Sequence, residues 1–73
     1  MKNTSLKNEI KRLIANGANI TKVEKGAIGG VSIEIEYKEP LSYDSFVYYE
    51  NVANRDADFD ELKAELKKNN INV

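Results

Sequence analysis

VSIEIEYKEP, residues 31–40, alternates almost without fault: Val31, Ile33, Ile35 and Tyr37 fall on one side of an extended chain, and Ser32, Glu34, Glu36 and Lys38 on the other. Side chains repeat every second residue along a strand, so the pattern predicts a strand over 31–38 with one side on a core. The other side faces water or a partner.

Working outward, EPLS (39–42) predicts a turn with Pro40 near its first corner, and YDSFVYYE (43–50) a second strand. On the other flank GAIGG (26–30) reads as a flexible connection. ITKVEK (20–25) before it is a weaker strand in which Ile20 and Val23 cannot share a face without a bulge or an early end. Two amphipathic helices frame the strands. In the first, over 4–16, Leu6, Ile10, Leu13 and Ile14 form one stripe, Thr4 or Ser5 is the expected cap and Gly17 the stop. The last begins in DADFDELKAELKKNN (56–70). There Phe59, Leu62 and Leu66 make the stripe, Asp58 with Glu61 reads as a capping box, and Lys67 and Lys68 suit the helix C-terminus. The expectation is a single small α+β domain over 1–73 in the order α-β-β-β-α. Its three-stranded antiparallel sheet carries both helices on one face and leaves the other face open.

The facing of the last strand is harder, because both of its sides carry apolar residues. A four-residue loop over 39–42 sets Ile35 opposite Phe46 and Ile33 opposite Tyr48, so that Tyr43, Val47 and Tyr49 point outward beside Glu34 and Glu36. A five-residue loop sets Glu36 directly opposite Asp44, a like-charge pair costing a few tenths of a kcal/mol or more. On that ground the first register is expected.

Composition narrows function by exclusion. Seventy-three residues without cysteine or histidine lack the common thiolate and imidazole ligands, the common nucleophile and the common base near neutral pH. Glu34 and Glu36 share a face, but paired-carboxylate catalysis needs a cleft and a raised pKa on one member, and a domain of this size leaves little room. Asp56, Asp58 and Asp60 match positions 1, 3 and 5 of a calcium loop. Glu61 and Lys67, however, stand where glycine and a bidentate glutamate are required. GAIGG lacks the lysine and the following helix of a phosphate-binding loop. No enzyme activity, metal or cofactor is therefore expected. The N-terminal stretch has no long apolar run, and a cytoplasmic protein is expected without membrane attachment.

The formal net charge of −1 hides an asymmetry: residues 1–25 carry six basic and two acidic groups, and residues 26–73 five basic and ten acidic. The element order is similar to that of double-stranded RNA-binding domains. That resemblance implies a nucleic-acid-binding module, here using the basic N-terminal third, Lys7, Lys11, Arg12, Lys22 and Lys25. The family's basic cluster at the start of the second helix is replaced by Asp56, Asp58, Asp60 and Glu61, and its Pro-His pair is missing, which sets this reading second. In broad layout and acidity the chain also looks like some small phage-encoded inhibitors of CRISPR nucleases. That resemblance implies a non-catalytic adaptor or inhibitor of phage or mobile-element origin. The leading expectation is accordingly a monomer or weak homodimer that binds an unknown protein partner through Glu34, Glu36, Tyr43, Val47 and Tyr49, acids giving orientation and tyrosines giving binding energy.

Overall fold

The computed structural model describes residues 1–24 and 30–71, and the expected GAIGG turn and Lys25 fall largely outside them. Helix α1 spans Thr4–Asn16, strands β1, β2 and β3 span Ala18–Val23, Val31–Tyr37 and Asp44–Tyr49, and helix α2 spans Val52–Lys68. The sheet is antiparallel in the order β1-β2-β3. Both helices pack on one face of it, as the two apolar stripes require.

The core follows the alternation of β2. Ile33, Ile35 and Tyr37 are buried under Leu6 and Leu13 of α1 and Phe59, Leu62 and Leu66 of α2, with Ala18 and Val47 at the flanks. Ile10 packs against this core, whereas Ile14 lies at its rim. Gly17 ends α1 as expected, with a φ of 77° in the left-handed region and its amide donating to the Leu13 carbonyl at 2.8 Å. Strand β1 needs no bulge. It starts two residues earlier than expected and stops at Val23, so that Ile20 faces the helices and Val23 the other side.

Helix α1 covers 4–16 as expected, but its cap and the start of α2 differ from the sequence reading. Asn3 caps α1, its side chain accepting from the Ser5 amide at 2.8 Å. Helix α2 begins at Val52 with Asn51 as cap, accepting from the Asn54 amide at 2.8 Å. Asp58 therefore lies in the second turn of the helix and caps nothing. Its buried carboxylate accepts from the amides of Lys2 at 2.7 Å and Asn3 at 2.9 Å and from the Tyr49 hydroxyl at 2.8 Å. Arg55, 1% exposed, ties α2 to the end of β1 through the Val23 carbonyl at 3.1 Å and Glu24 at 3.2 Å, and pairs with Asp56 at 2.9 Å. Buried charges of this kind persist only when paired and hydrogen-bonded.

The register of β3 is the five-residue alternative. Val31, Ile33, Ile35 and Glu36 stand opposite Tyr49, Val47, Ser45 and Asp44, and the loop between the strands runs over residues 38–42. The expected outward placement of Val47 and Tyr49 is thus reversed. The helix-facing end of the sheet shows why. There the Tyr37 hydroxyl donates to Glu9, and Tyr43 sits beside Tyr37 with ring centroids 5.2 Å apart. On the same face the Tyr43 hydroxyl accepts from Arg12 at 2.6 Å, Val47 is buried, and the Tyr49 hydroxyl donates to the buried Asp58 carboxylate at 2.8 Å; a one-residue slip turns Tyr43, Val47 and Tyr49 outward and forfeits all of these contacts. The exposed Glu36 and Asp44 pair is the smaller cost.

Backbone hydrogen bonds fix which groups leave the sheet edges. The Tyr37 amide donates to the Tyr43 carbonyl at 3.0 Å, and the Lys38 amide to the Gly17 carbonyl at 3.3 Å. Directly opposed residues in an antiparallel ladder alternate between bonded and non-bonded pairs. Tyr43, Ser45, Val47 and Tyr49 therefore bond to β2, while Asp44, Phe46 and Tyr48 turn their amides and carbonyls off the outer edge.

Candidate functional site

The face of the sheet away from the helices carries Asn19, Thr21 and Val23 from β1, Ser32, Glu34 and Glu36 from β2, and Asp44, Phe46 and Tyr48 from β3. No described helix covers it, and it is exposed at Glu36, Asp44, Phe46 and Tyr48, whereas Ser32 beside Tyr48 is fully buried. Phe46 and Tyr48 are 43% and 45% exposed and lie nearly parallel at 18°, with centroids 6.3 Å apart. Single exposed apolar residues are ordinary, but two adjacent aromatic rings on a sheet face that no described helix covers form a surface suited to a partner.

Beside the rings stands a group of three carboxylates. Glu36 opposes Asp44 across the ladder, and Glu34 lies diagonal to Asp44 and opposite Phe46. Partial desolvation, a hydrogen bond shared with Asp44 and the charges of Asp44 and Glu36 hold the Glu34 carboxyl above its ordinary value. The Asn19 amide donates to Glu36 at 3.3 Å and relieves one oxygen only. Where the acids meet the 38–42 loop, a shallow recess of about 450 Å³ opens, lined by Glu36, Glu39, Asp44, Lys38 and Tyr43 among others. Among the described residues no three acidic side chains are grouped to hold a metal ion.

Of the residues expected to form a partner patch, Glu34 and Glu36 are on this face. Tyr43, Val47 and Tyr49 are not. Val47 is 4% exposed beneath the helices, and the half-buried Tyr49 spends its hydroxyl on Asp58; burial and that bond push its pKa upward. Tyr43 is exposed at the helix-facing edge and accepts from Arg12 at 2.6 Å. Phe46, Tyr48 and Asp44 take their places. The signal for them lay in the same stretch, 43–50, since the two registers differ only in which alternate set points outward.

The basic residues of the N-terminal third do not converge. Arg12 is engaged with Tyr43 and, at 3.5 Å, with Glu9 on the β3 side of the sheet. Lys22 lies at the opposite edge on β1, 3.5 Å from Asp56 and 5.1 Å from the centre of the Phe59 ring. Lys7 borders Glu61 and Glu65 of α2, Lys11 is exposed on α1, and Lys25 lies outside the described residues. Asp56 and Asp58 are likewise occupied. Arg55, against the counteracting pull of burial, and Lys22 hold Asp56 below the ordinary carboxylate value.

No family model matches the chain, and no curated protein or solved structure is significantly similar to it. Among the described residues no helix is long and apolar enough to cross a membrane.

Proposed function

We propose that the chain is a non-catalytic protein-binding domain whose open sheet face takes a partner bearing basic and apolar side chains together. The observation that carries this reading is the exposed Phe46–Tyr48 pair set directly beside Glu34, Glu36 and Asp44 on a face no described helix covers. Aromatic rings at the centre of an interface often cost roughly 2 kcal/mol or more when truncated, while charges act mainly on association rate and selectivity. The mutual repulsion of the three acids is relieved when a cation arrives, so the cluster favours a basic partner over a neutral one.

The test is a comparison of proteins retained from host lysate by the immobilised wild-type chain and by two double variants, Phe46→Ala with Tyr48→Ala and Glu34→Lys with Glu36→Lys. The first variant is expected to lose the partner. The second is expected to bind it more slowly, with a reduced salt dependence. Identical retention by all three proteins would overturn the reading.

A further inference from the structure

We propose that the partner binds as an extended segment added to the outer edge of β3, with an apolar residue opposite Phe46 and a lysine or arginine opposite Asp44. This rests on the reading of the open face given above and specifies how that face is used. The residues whose side chains form the exposed patch, Asp44, Phe46 and Tyr48, are the same ones whose backbone groups leave the edge, as the Tyr37 to Tyr43 hydrogen bond requires. Of these groups the Tyr48 carbonyl already accepts from the Asn3 side chain at 3.1 Å. The amides and carbonyls of Asp44 and Phe46 have no backbone partner among the described residues. A strand laid there gains ladder hydrogen bonds and side-chain contact on the open face at once.

The register follows from this parity. A residue directly opposite Phe46 shares its face, and so does the residue opposite Asp44, two positions away. In the antiparallel sense, the more stable pairing, the segment reads apolar, any residue, basic, from N to C. Its cation then lies against Asp44 and Glu36 at the mouth of the recess beside the 38–42 loop.

Geometry argues against a second copy of the chain as the occupant. Helix α1 runs above β3: Asn3 at its start reaches the outward Tyr48 carbonyl, and Arg12 near its end reaches the Tyr43 hydroxyl. Antiparallel pairing of two β3 edges would bring two α1 helices about 5 Å apart, the spacing of neighbouring strands, whereas packed helices need about 8–10 Å. Parallel pairing by translation meets the same clash and stacks Asp44 on its own copy, and parallel pairing about a two-fold axis along the strand turns the two open faces to opposite sides, so that neither aromatic patch meets its counterpart. A bare extended segment meets none of these obstacles.

The experiment is a display selection of random linear peptides on the full chain, followed by affinity measurements on the wild type, Asp44→Ala and Asp44→Pro. Both variants lack the carboxylate, so the difference between them reports the backbone. Proline is tolerated at an edge position whose amide faces solvent, and thermal melts check that Asp44→Pro is folded. The expected consensus has an apolar residue two positions before a lysine or arginine. The selected peptides are expected to bind Asp44→Pro at least about tenfold more weakly than Asp44→Ala, the scale of one or two lost hydrogen bonds. Absence of any enriched peptide, or a consensus without the basic residue, overturns the proposal. Equal affinity for the two variants overturns strand addition while leaving the open-face reading standing. A wild-type dimer in sedimentation equilibrium that Asp44→Pro abolishes would hand the edge to a second copy and overturn the assigned occupant.

Discussion

Asp58 shows how one residue joins three distant parts of the chain. Burial by itself pushes its carboxyl upward, but the Lys2 amide, the Tyr49 hydroxyl and the Asn3 amide together hold it below its ordinary 3.8. A carboxyl depressed in the folded state contributes stability that is fully present above the unfolded value and is lost as pH falls through the folded one. The wild type is therefore expected to lose stability below about pH 4, and Asp58→Asn to lack part of that loss in denaturant melts taken from pH 6 to pH 2. Asp58→Ala at pH 7 leaves two amides and a hydroxyl without their acceptor and is expected to cost about 3 kcal/mol. Glu34 works in the opposite sense. Its carboxyl is raised, so acidification through its folded value toward 4.5 relieves repulsion within the folded state. The same step is expected to weaken capture of a basic partner, measurable as a falling association rate as the pH is lowered from 7 toward 4.5.

At the scale of elements, β2 was fully legible in the sequence and β3 was not. In β2 the apolar and polar sets separate cleanly, so its facing needed no tertiary information. In β3 Phe46 and Tyr48 on one side and Val47 and Tyr49 on the other are equally apolar, and the choice rests on Asp58 and Arg12, which meet Tyr49 and Tyr43 only after folding. The acid pair of the patch was legible, because Glu34 and Glu36 belong to β2, while its aromatic part followed β3 and was misplaced. The start of α2 was obscured in a similar way. Asp58 followed by Glu61 has the local signature of a cap, whereas its actual partners are 55 and 56 residues away in sequence. The facing of β3 can be checked directly. Val47→Ala is expected to cost about 2 kcal/mol through lost burial and a residual void. Phe46→Ala and Tyr48→Ala are each expected to cost under about 1 kcal/mol, since exposed side chains contribute little to folding. Urea melts giving the reverse order would restore the shorter loop.

For the whole molecule, one apolar layer between the sheet and two helices carries the stability. Ile33→Ala or Leu62→Ala, both fully buried, is expected to cost roughly 2 to 4 kcal/mol, a large part of what a domain of this size has available. At this scale the basic groups of the N-terminal third are dispersed rather than gathered on one face. With Arg12 and Lys22 engaged and placed at opposite edges of the sheet, duplex RNA or DNA is expected not to be retained. Micromolar retention that weakens steeply with added salt would reopen that reading.

The link from Asp58 to Lys2 and Asn3 has a consequence for how the chain is made. A ribosome releases α1 before α2, and the carboxylate that anchors the start of α1 belongs to α2. Until Phe59, Leu62 and Leu66 emerge, the inner side of the sheet has only half of its cover and Tyr49 has no acceptor. Folding during synthesis is therefore deferred until α2 has emerged, with the apolar hairpin of β2 and β3 exposed meanwhile. A nascent chain arrested with only residues 1–55 outside the exit tunnel is expected to be digested rapidly by protease, and one with 1–71 outside to resist.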